Sequence, residues 1–321
     1  MSAIEPIPVA VIGVGNFGRQ HARVYSALPE ARLVAVVDED AERARQVAGE
    51  YGGAALSDLG ALPAEVRAAS LAVPTQHHLS VGLSLLAAGV DLLVEKPIAP
   101  DIESATRLVT AAQKAKCVLQ VGHLERFNPA VEQAAHAATL PLFFEIHRMS
   151  PFSPRSLDID VVLDLMIHDL DIVLKLVDSA VCEVAASGLS VVSESTDIAN
   201  ARIQFENGCV ANLTASRVST ERIRKLRFFQ PREYISLDYI KRQGVRIGLG
   251  SSAGLHILPL AADDGEPLRR QLESFLQCAR NREQPRVTGQ DALEALRLAL
   301  RIREAIKAHS HLVSKTLSAL S

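Results

Sequence analysis

The stretch PVAVIGVGNFGRQHARVY, residues 8–25, decides the fold. An apolar run from Val9 to Ile12 passes without a break into Gly13-x-Gly15-x-x-Gly18 and then into a helical pattern. Gly13 permits a tight turn, and Gly15 lets a diphosphate approach the backbone. Gly18 lets helix and strand pack closely, so that the N–H groups of the helix start face the anion. Asn16 and Phe17 belong to the same loop and are expected to touch the cofactor.

Working outward, a second strand pattern, ARLVAVVDED at 31–40, places Asp38 twenty residues beyond Gly18. A carboxylate at that spacing accepts hydrogen bonds from the adenosine ribose. It also repels a 2′-phosphate, and Glu39 and Asp40 add to that charge, so NAD is expected over NADP. Arg43 and Arg45 are the nearby cations that a phosphate would need, and they read as solvated charges on a helix face. Strand and helix alternate onward through ASLAVP, a helix at 76–88, VDLLVEKP, a helix at 101–115 and CVLQVG. Such βα repetition predicts a parallel sheet covered on both faces, a Rossmann domain over residues 1–122. Ligands of such sheets sit beyond the carboxyl ends of the strands. There, Thr75 and His78 are expected at the cofactor, His78 alternatively capping or packing the following helix, and Lys96, ending a strand ahead of Pro97, is expected beside the nicotinamide.

From residue 123 the rhythm changes, and 123–321 reads as a second α/β domain with a large, mostly antiparallel open sheet. Strand patterns include PLFFEIHRM, a hairpin turning at Asn207-Gly208, KLRFFQ, EYISLDY and GVRIGL, followed by helices at 267–281 and 289–307. These strands look apolar on both faces, which predicts a homodimer or homotetramer built on the sheet. VVLDLMIHDLDIVLKLV, residues 161–177, is an apolar helix pattern with Asp164, His168, Asp171 and Lys175 on one stripe. Buried polar groups are costly without partners. Hydride transfer from an alcohol needs a proton acceptor, and His168 is suited to that task, with Asp164 one turn earlier to support it. Lys96 is suited to binding the substrate oxygen.

The 321 residues are 48% hydrophobic and 22% charged, with a net charge of −3. That balance argues against a nucleic-acid partner, which usually selects a basic excess. No apolar segment reaches spanning length, and MSAIEPIPVAVIG lacks the pattern of a signal peptide. The four cysteines are scattered without zinc or redox spacing, so no metal is expected and a cytoplasmic setting fits.

Taken together, VIGVGNFGRQHA, AVVD, AVPTQHH, LLVEKPIA, VGHLERFNPA, LDLMIHDLDI and the C-terminal stretch 266–299 resemble the Gfo/Idh/MocA oxidoreductase family. The resemblance implies a catalytic group of Lys96 in E-K-P with Asp164 and His168 in D-x-x-x-H, and places Pro74, Thr75 and Glu95 near the cofactor. VGHLERFNPAV and the glycine-free DIDVVLDLMIHDLDI resemble the branch that oxidises the 3-hydroxyl of UDP-N-acetylglucosamine. That substrate would call on His123 and on cations for its diphosphate, with Arg126, Arg148 and Arg155 as candidates. The alternatives are a dehydrogenase of a free sugar or cyclitol such as inositol, and a non-catalytic sensor. Intact Lys96, Asp164 and His168 speak against the sensor.

Overall fold

A computed structural model describes residues 5–153, 159–249, 254–260 and 263–318. The chain divides into two compact units. One takes the chain up to Phe127 together with Glu266–Leu293; the other takes Asn128–Gly265 and the chain from Glu294 onward. The sequence reading drew a single cut after residue 122. A segment that leaves a unit and later returns to it carries no mark in composition.

In the first unit the order is β1 (Ile7–Ile12), α1 (Asn16–Ala27), β2 (Ala31–Val37), α2 (Ala41–Tyr51), β3 (Ala54–Leu56) and β4 (Ala68–Leu71). It continues with α3 (His78–Ala87), β5 (Asp91–Val94), α4 (Ile102–Ala115) and β6 (Leu119–Val121). All strands are parallel, in the order β3-β2-β1-β4-β5-β6. Strand order reverses between β1 and β4, and that switch point is where ligands of such sheets bind. Val9, Val11, Val36 and Leu93 form one core with Val24 and Tyr25 of α1. The returning helix α7 (Pro267–Asn281) packs on α1 and adds Leu272 and Phe275 to that core. The Rossmann expectation holds.

The second unit opens with α5 (Pro129–Ala137), capped by the Asn128 side chain on Ala130 N–H. Then come β7 (Phe143–Met149), a π-helical turn (Val162–Met166), α6 (Ile167–Val177), β8 (Val181–Leu189), β9 (Ile198–Phe205) and β10 (Val210–Ser216). β11 (Ile223–Gln230), β12 (Glu233–Asp238), β13 (Gln243–Leu249) and β14 (Leu255–Leu260) complete an eight-stranded sheet, β14-β13-β12-β11-β7-β10-β9-β8. Its pairs are antiparallel except β7 with β10. The division between units falls inside the last helix, α8 (Gly289–Ser318). The β9–β10 hairpin turns at Asn207-Gly208 as expected, with Gly208 at φ +85°. β14 went unread because LHILPL carries Pro259, which a sheet tolerates on an edge strand.

One face of this sheet is the core, where Phe144, Ile146, Leu226, Phe228 and Ile235 are buried. The other face corrects the expectation of apolar surface on both sides. Register aligns Arg202, Asn212, Glu145, Arg227 and Ser236 in one polar row across it. A parallel row, Val210, Phe143, Phe229, Tyr234, Ile247 and Ile257, is apolar, with Phe229 38% and Ile257 64% exposed.

The β8–β9 connection is organised by the buried Asp197. Its carboxylate accepts N–H bonds from Val191, Val192 and Ser193 at 2.7, 2.7 and 2.9 Å, the Ser193 hydroxyl at 2.6 Å, and Arg217 Nε at 2.9 Å. Burial opposes its ionisation, yet the hydrogen bonds from Ser193, Val192 and Val191 outweigh it and hold the carboxyl well below the usual carboxylate range. A folded-state pKa below the unfolded one, about 3.9, means its stabilisation is complete at neutral pH and is lost as pH falls below about 5. Asp197→Asn should therefore lower the melting temperature at pH 7 and flatten its decline between about pH 5 and 3. Thermal denaturation across that range checks this; an acid limb unchanged in the variant contradicts it.

Candidate functional site

The glycine loop has the geometry expected of a phosphate cradle. A Cβ at Gly13, whose φ is +82°, would meet Val73 N at 2.7 Å, and one at Gly18 would meet Gly13 O at 1.8 Å. Gly15 has open space where a Cβ would project. Gly13, Gly15 and Pro74 line a cavity of about 1020 Å³, which extends along Val37, Asp38, Asp40, Arg43 and Asp58. That volume lies at the upper end for small-molecule sites. Asp38 Oδ2 accepts Val14 N–H at 2.8 Å, while Oδ1 accepts Asp40 N–H at 3.0 Å and Arg43 Nη1 at 3.1 Å. The carboxylate is thus fixed at the cavity wall. Backbone N–H groups at the start of α1 and this carboxylate fit a dinucleotide. Phe17, 47% exposed, lies on the first turn of α1 with its ring 6.0 Å from that of His21. Asp58 and His77 are lining residues that sequence reasoning missed. Asp58 comes from a loop without a motif; His77 was passed over for its neighbour.

His78 is the correction. Its ring is buried, with Nδ1 3.0 Å from Pro97 O and Nε2 3.0 Å from Val73 O, so it holds backbone rather than cofactor. Burial pushes its imidazole below the usual value, against the carbonyls of Val73, Ile98 and Pro97, which favour the charged ring. Thr75 opens a short 3₁₀ turn, Thr75–His77, ahead of α3. Beyond β5, Glu95 is buried and Lys96 half-buried. Glu95 Oε2 accepts Lys96 N–H at 3.3 Å, and Gly122 leaves room for the carboxylate, since a Cβ there would lie 2.5 Å from Oε1. After β6, His123 and Arg126 are buried, and Arg126 Nη2 donates to Arg286 O at 3.0 Å.

In the second unit, Asp164 lies inside the π-helical turn and His168 just after it, both half-buried. π turns appear often at functional sites, and they shift the 3.6-residue register that the stripe assumed. Asp160 accepts N–H bonds from Val162 and Leu163 at 3.0 and 3.1 Å and pairs with Arg303 at 2.6 Å, anchoring the helix start. Of the stripe, Asp171 is buried and Lys175 is exposed. Arg148, expected at the substrate, is instead buried against α6: Nε and Nη2 donate to Asp169 at 2.6 and 2.8 Å. The Tyr239 hydroxyl adds a 3.1 Å bond to the same carboxylate. A charge-based choice of arginines has no view of burial, and Asp169 escaped it because it lies off the stripe. Arg155 falls outside the described residues.

Residues 7–123 match the oxidoreductase family with an NAD-binding Rossmann fold, and residues 143–230 match the GFO/IDH/MocA C-terminal domain. The UDP-N-acetylglucosamine 3-dehydrogenase of Acidithiobacillus ferrooxidans is 39% identical over 306 residues, covering 93% of this chain and 96% of that protein. A solved structure of the same description and organism has a TM-score of 0.90 at 37% identity, covering 95% of this chain and 99% of the other. The inositol 2-dehydrogenase of Corynebacterium glutamicum is 32% identical over 192 residues, 56% of this chain and 57% of that protein. The chain belongs to the Gfo/Idh/MocA family of oxidoreductases.

Because Arg148 and Asp169 are both buried, removing one partner leaves an uncompensated charge. Arg148→Met should cost about 3–5 kcal/mol of stability, read by urea unfolding, with substrate KM unchanged in the folded fraction. Unchanged stability with a raised KM would return Arg148 to the substrate site.

Proposed function

We propose that this protein is an NAD-dependent dehydrogenase that oxidises the 3-hydroxyl of UDP-N-acetylglucosamine to a ketone, suited to a following transamination. The observation that carries the reading is likeness over nearly the whole chain to an enzyme of that description, 39% identical. Intact Lys96, Asp164 and His168 support it. The competing reading, an inositol dehydrogenase, draws on a likeness spanning 56% of the chain.

NAD, when bound, supplies the acceptor for the hydride leaving the carbinol carbon. Lys96 donates to the reacting oxygen and stabilises its developing negative charge. His168 takes the hydroxyl proton, and Asp164 steadies the resulting imidazolium. Asp38 binds the adenosine ribose hydroxyls. Asp38, Glu39, Asp40 and Asp58 set four carboxylates along the cavity wall beside Arg43, a balance that disfavours a 2′-phosphate and supports NAD over NADP. His123 and Arg126, on the turn after β6, are the residues proposed for the nucleotide sugar. Among the described residues no helix is long and apolar enough to cross a membrane, and Cys117, Cys182, Cys209 and Cys278 are free thiols. The cytoplasm is the proposed setting.

A panel of UDP-sugars and free polyols with NAD, followed at the reduced-nicotinamide absorbance, should give turnover best with UDP-N-acetylglucosamine. Preference for inositol would replace the proposed substrate. In the same assay Lys96→Met and His168→Asn should each lose about 10²–10⁴-fold in turnover with NAD binding retained. Asp38→Ala should narrow the gap between NAD and NADP affinity. Near-normal turnover in His168→Asn, or a wild type that binds NADP as tightly as NAD, would refute the corresponding assignment.

The apolar cross-strand row from Val210 to Ile257 supports a homo-oligomer built on the open sheet. Light scattering at micromolar concentration should give a mass of at least two chains, and Phe229→Glu should lower it. A wild-type mass of one chain would exclude the assembly.

A further inference from the structure

The turn Glu95–Lys96–Pro97 rests on a polar chain set into an otherwise apolar interior. The Tyr25 hydroxyl lies 2.9 Å from Ser70 Oγ, and Ser70 Oγ lies 2.9 Å from His21 Nδ1. His21 Nε2 is 3.1 Å from Glu95 Oε1, within ion-pair distance although not aligned as a hydrogen bond. Glu95 Oε2 then accepts Lys96 N–H. Tyr25, Ser70 and His21 have no exposed surface, and Glu95 has 8%.

Three elements, α1, β4 and the end of β5, supply this chain, and protons can be ordered along it from Tyr25 to Ser70 to His21, whose Nε2 then faces the Glu95 carboxylate. Burial raises the Tyr25 phenol, which keeps it an O–H donor. Apolar residues would fill the same volume at lower cost, so the arrangement calls for a task other than stability. Gly122 points the same way. Its backbone is not in the left-handed region, and it is the Glu95 carboxylate that a side chain there would strike. On the far side of Lys96, His78 holds the Pro97 and Ile98 carbonyls. Lys96 is bracketed by two buried histidines.

We propose that His21 is a positioning residue for the dehydrogenase reaction. The His21–Glu95 pair, anchored through Ser70 to Tyr25, fixes the carboxylate under the turn and thereby sets where Lys96 presents its ammonium. This rests on the reading of Lys96 as the group that binds the reacting oxygen.

The test begins with the full chain free of ligand. Trace acetylation with acetic anhydride is read by mass spectrometry at Lys96, relative to the exposed Lys114. His21→Asn keeps a polar group toward Ser70 but is too short for Glu95; His21→Gln extends an amide N–H toward the carboxylate. Lys96 labelling should rise about threefold or more in His21→Asn and stay near wild type in His21→Gln. With UDP-N-acetylglucosamine and NAD, kcat should fall on the order of tenfold in His21→Asn and recover in His21→Gln. KM and NADH affinity by fluorescence titration should stay within about twofold. A purely structural role would lower the melting temperature of both variants while leaving Lys96 labelling and kcat per folded molecule unchanged, and that result overturns the proposal. Should His21→Asn fail to fold, Ser70→Ala removes the anchor with little change in volume, and unaltered Lys96 labelling in it overturns the proposal equally. Lys96→Met separates the two claims. If it stays active, the catalytic reading fails and this proposal falls with it. If it is inactive while labelling ignores His21, the catalytic reading stands and the positioning role alone is lost.

Discussion

Everything in the first unit is referred to one steric contact, the approach of α1 to the end of β1. A Cβ at residue 18 would lie 1.8 Å from Gly13 O, so with any other residue there the two elements could not meet at their present distance. Because they do meet, Gly13 and Gly15, just ahead of α1, line the cavity that Asp38 walls, at the switch point between β1 and β4. The parallel sheet and its helices serve to hold that approach rigid. Val9 and Val11 of β1 and Val24 and Tyr25 of α1 share one core, closed by Leu272 and Phe275 of α7.

Buried polar contacts fasten segments of both units, two ion pairs in the second and a histidine–carboxylate contact in the first. Arg148 and Asp169 lock α6 to β7, Arg217 and Asp197 lock the β8–β9 connection, and His21 with Glu95 underlies the Lys96 turn. The two ion pairs contribute little net stability compared with apolar residues of the same size, but breaking one leaves a buried charge without its counterpart. They act as fixed points whose failure is expensive. The α6 case is instructive, since it joins the helix that follows the π-helical turn of Asp164 to the central strand of the sheet, with Tyr239 adding a third ligand to the carboxylate.

Family and fold were legible because they depend on local pattern. Glycine spacing, a carboxylate twenty residues on, and strand runs ending in Lys96 are properties of neighbouring residues, and physics ties each to one backbone shape. Site membership was legible only where a residue's direction follows from its element. Asp38 directly follows Val37, the last residue of β2, and lines the cavity at that strand's carboxyl end. His77 and His78 differ by one position on a 3₁₀-to-α junction, so a rotation of about 100–120° exchanges cavity for interior, and periodicity cannot resolve it. The π-helical turn likewise alters the spacing between Asp164 and its neighbours without any composition to announce it.

The sequence by itself determined the dinucleotide loop, the parallel sheet, the antiparallel sheet and its Asn207-Gly208 hairpin, because these follow from backbone preferences and side-chain alternation over a few residues. Tertiary structure decided which polar and charged groups serve as fasteners. Arg148 and Asp169 lie twenty-one residues apart, His21 and Glu95 seventy-four. No local rule distinguishes Arg148 from a surface arginine or Asp169 from a solvated aspartate. Their roles arise when packing removes water from both at once, so that each becomes the other's least costly partner.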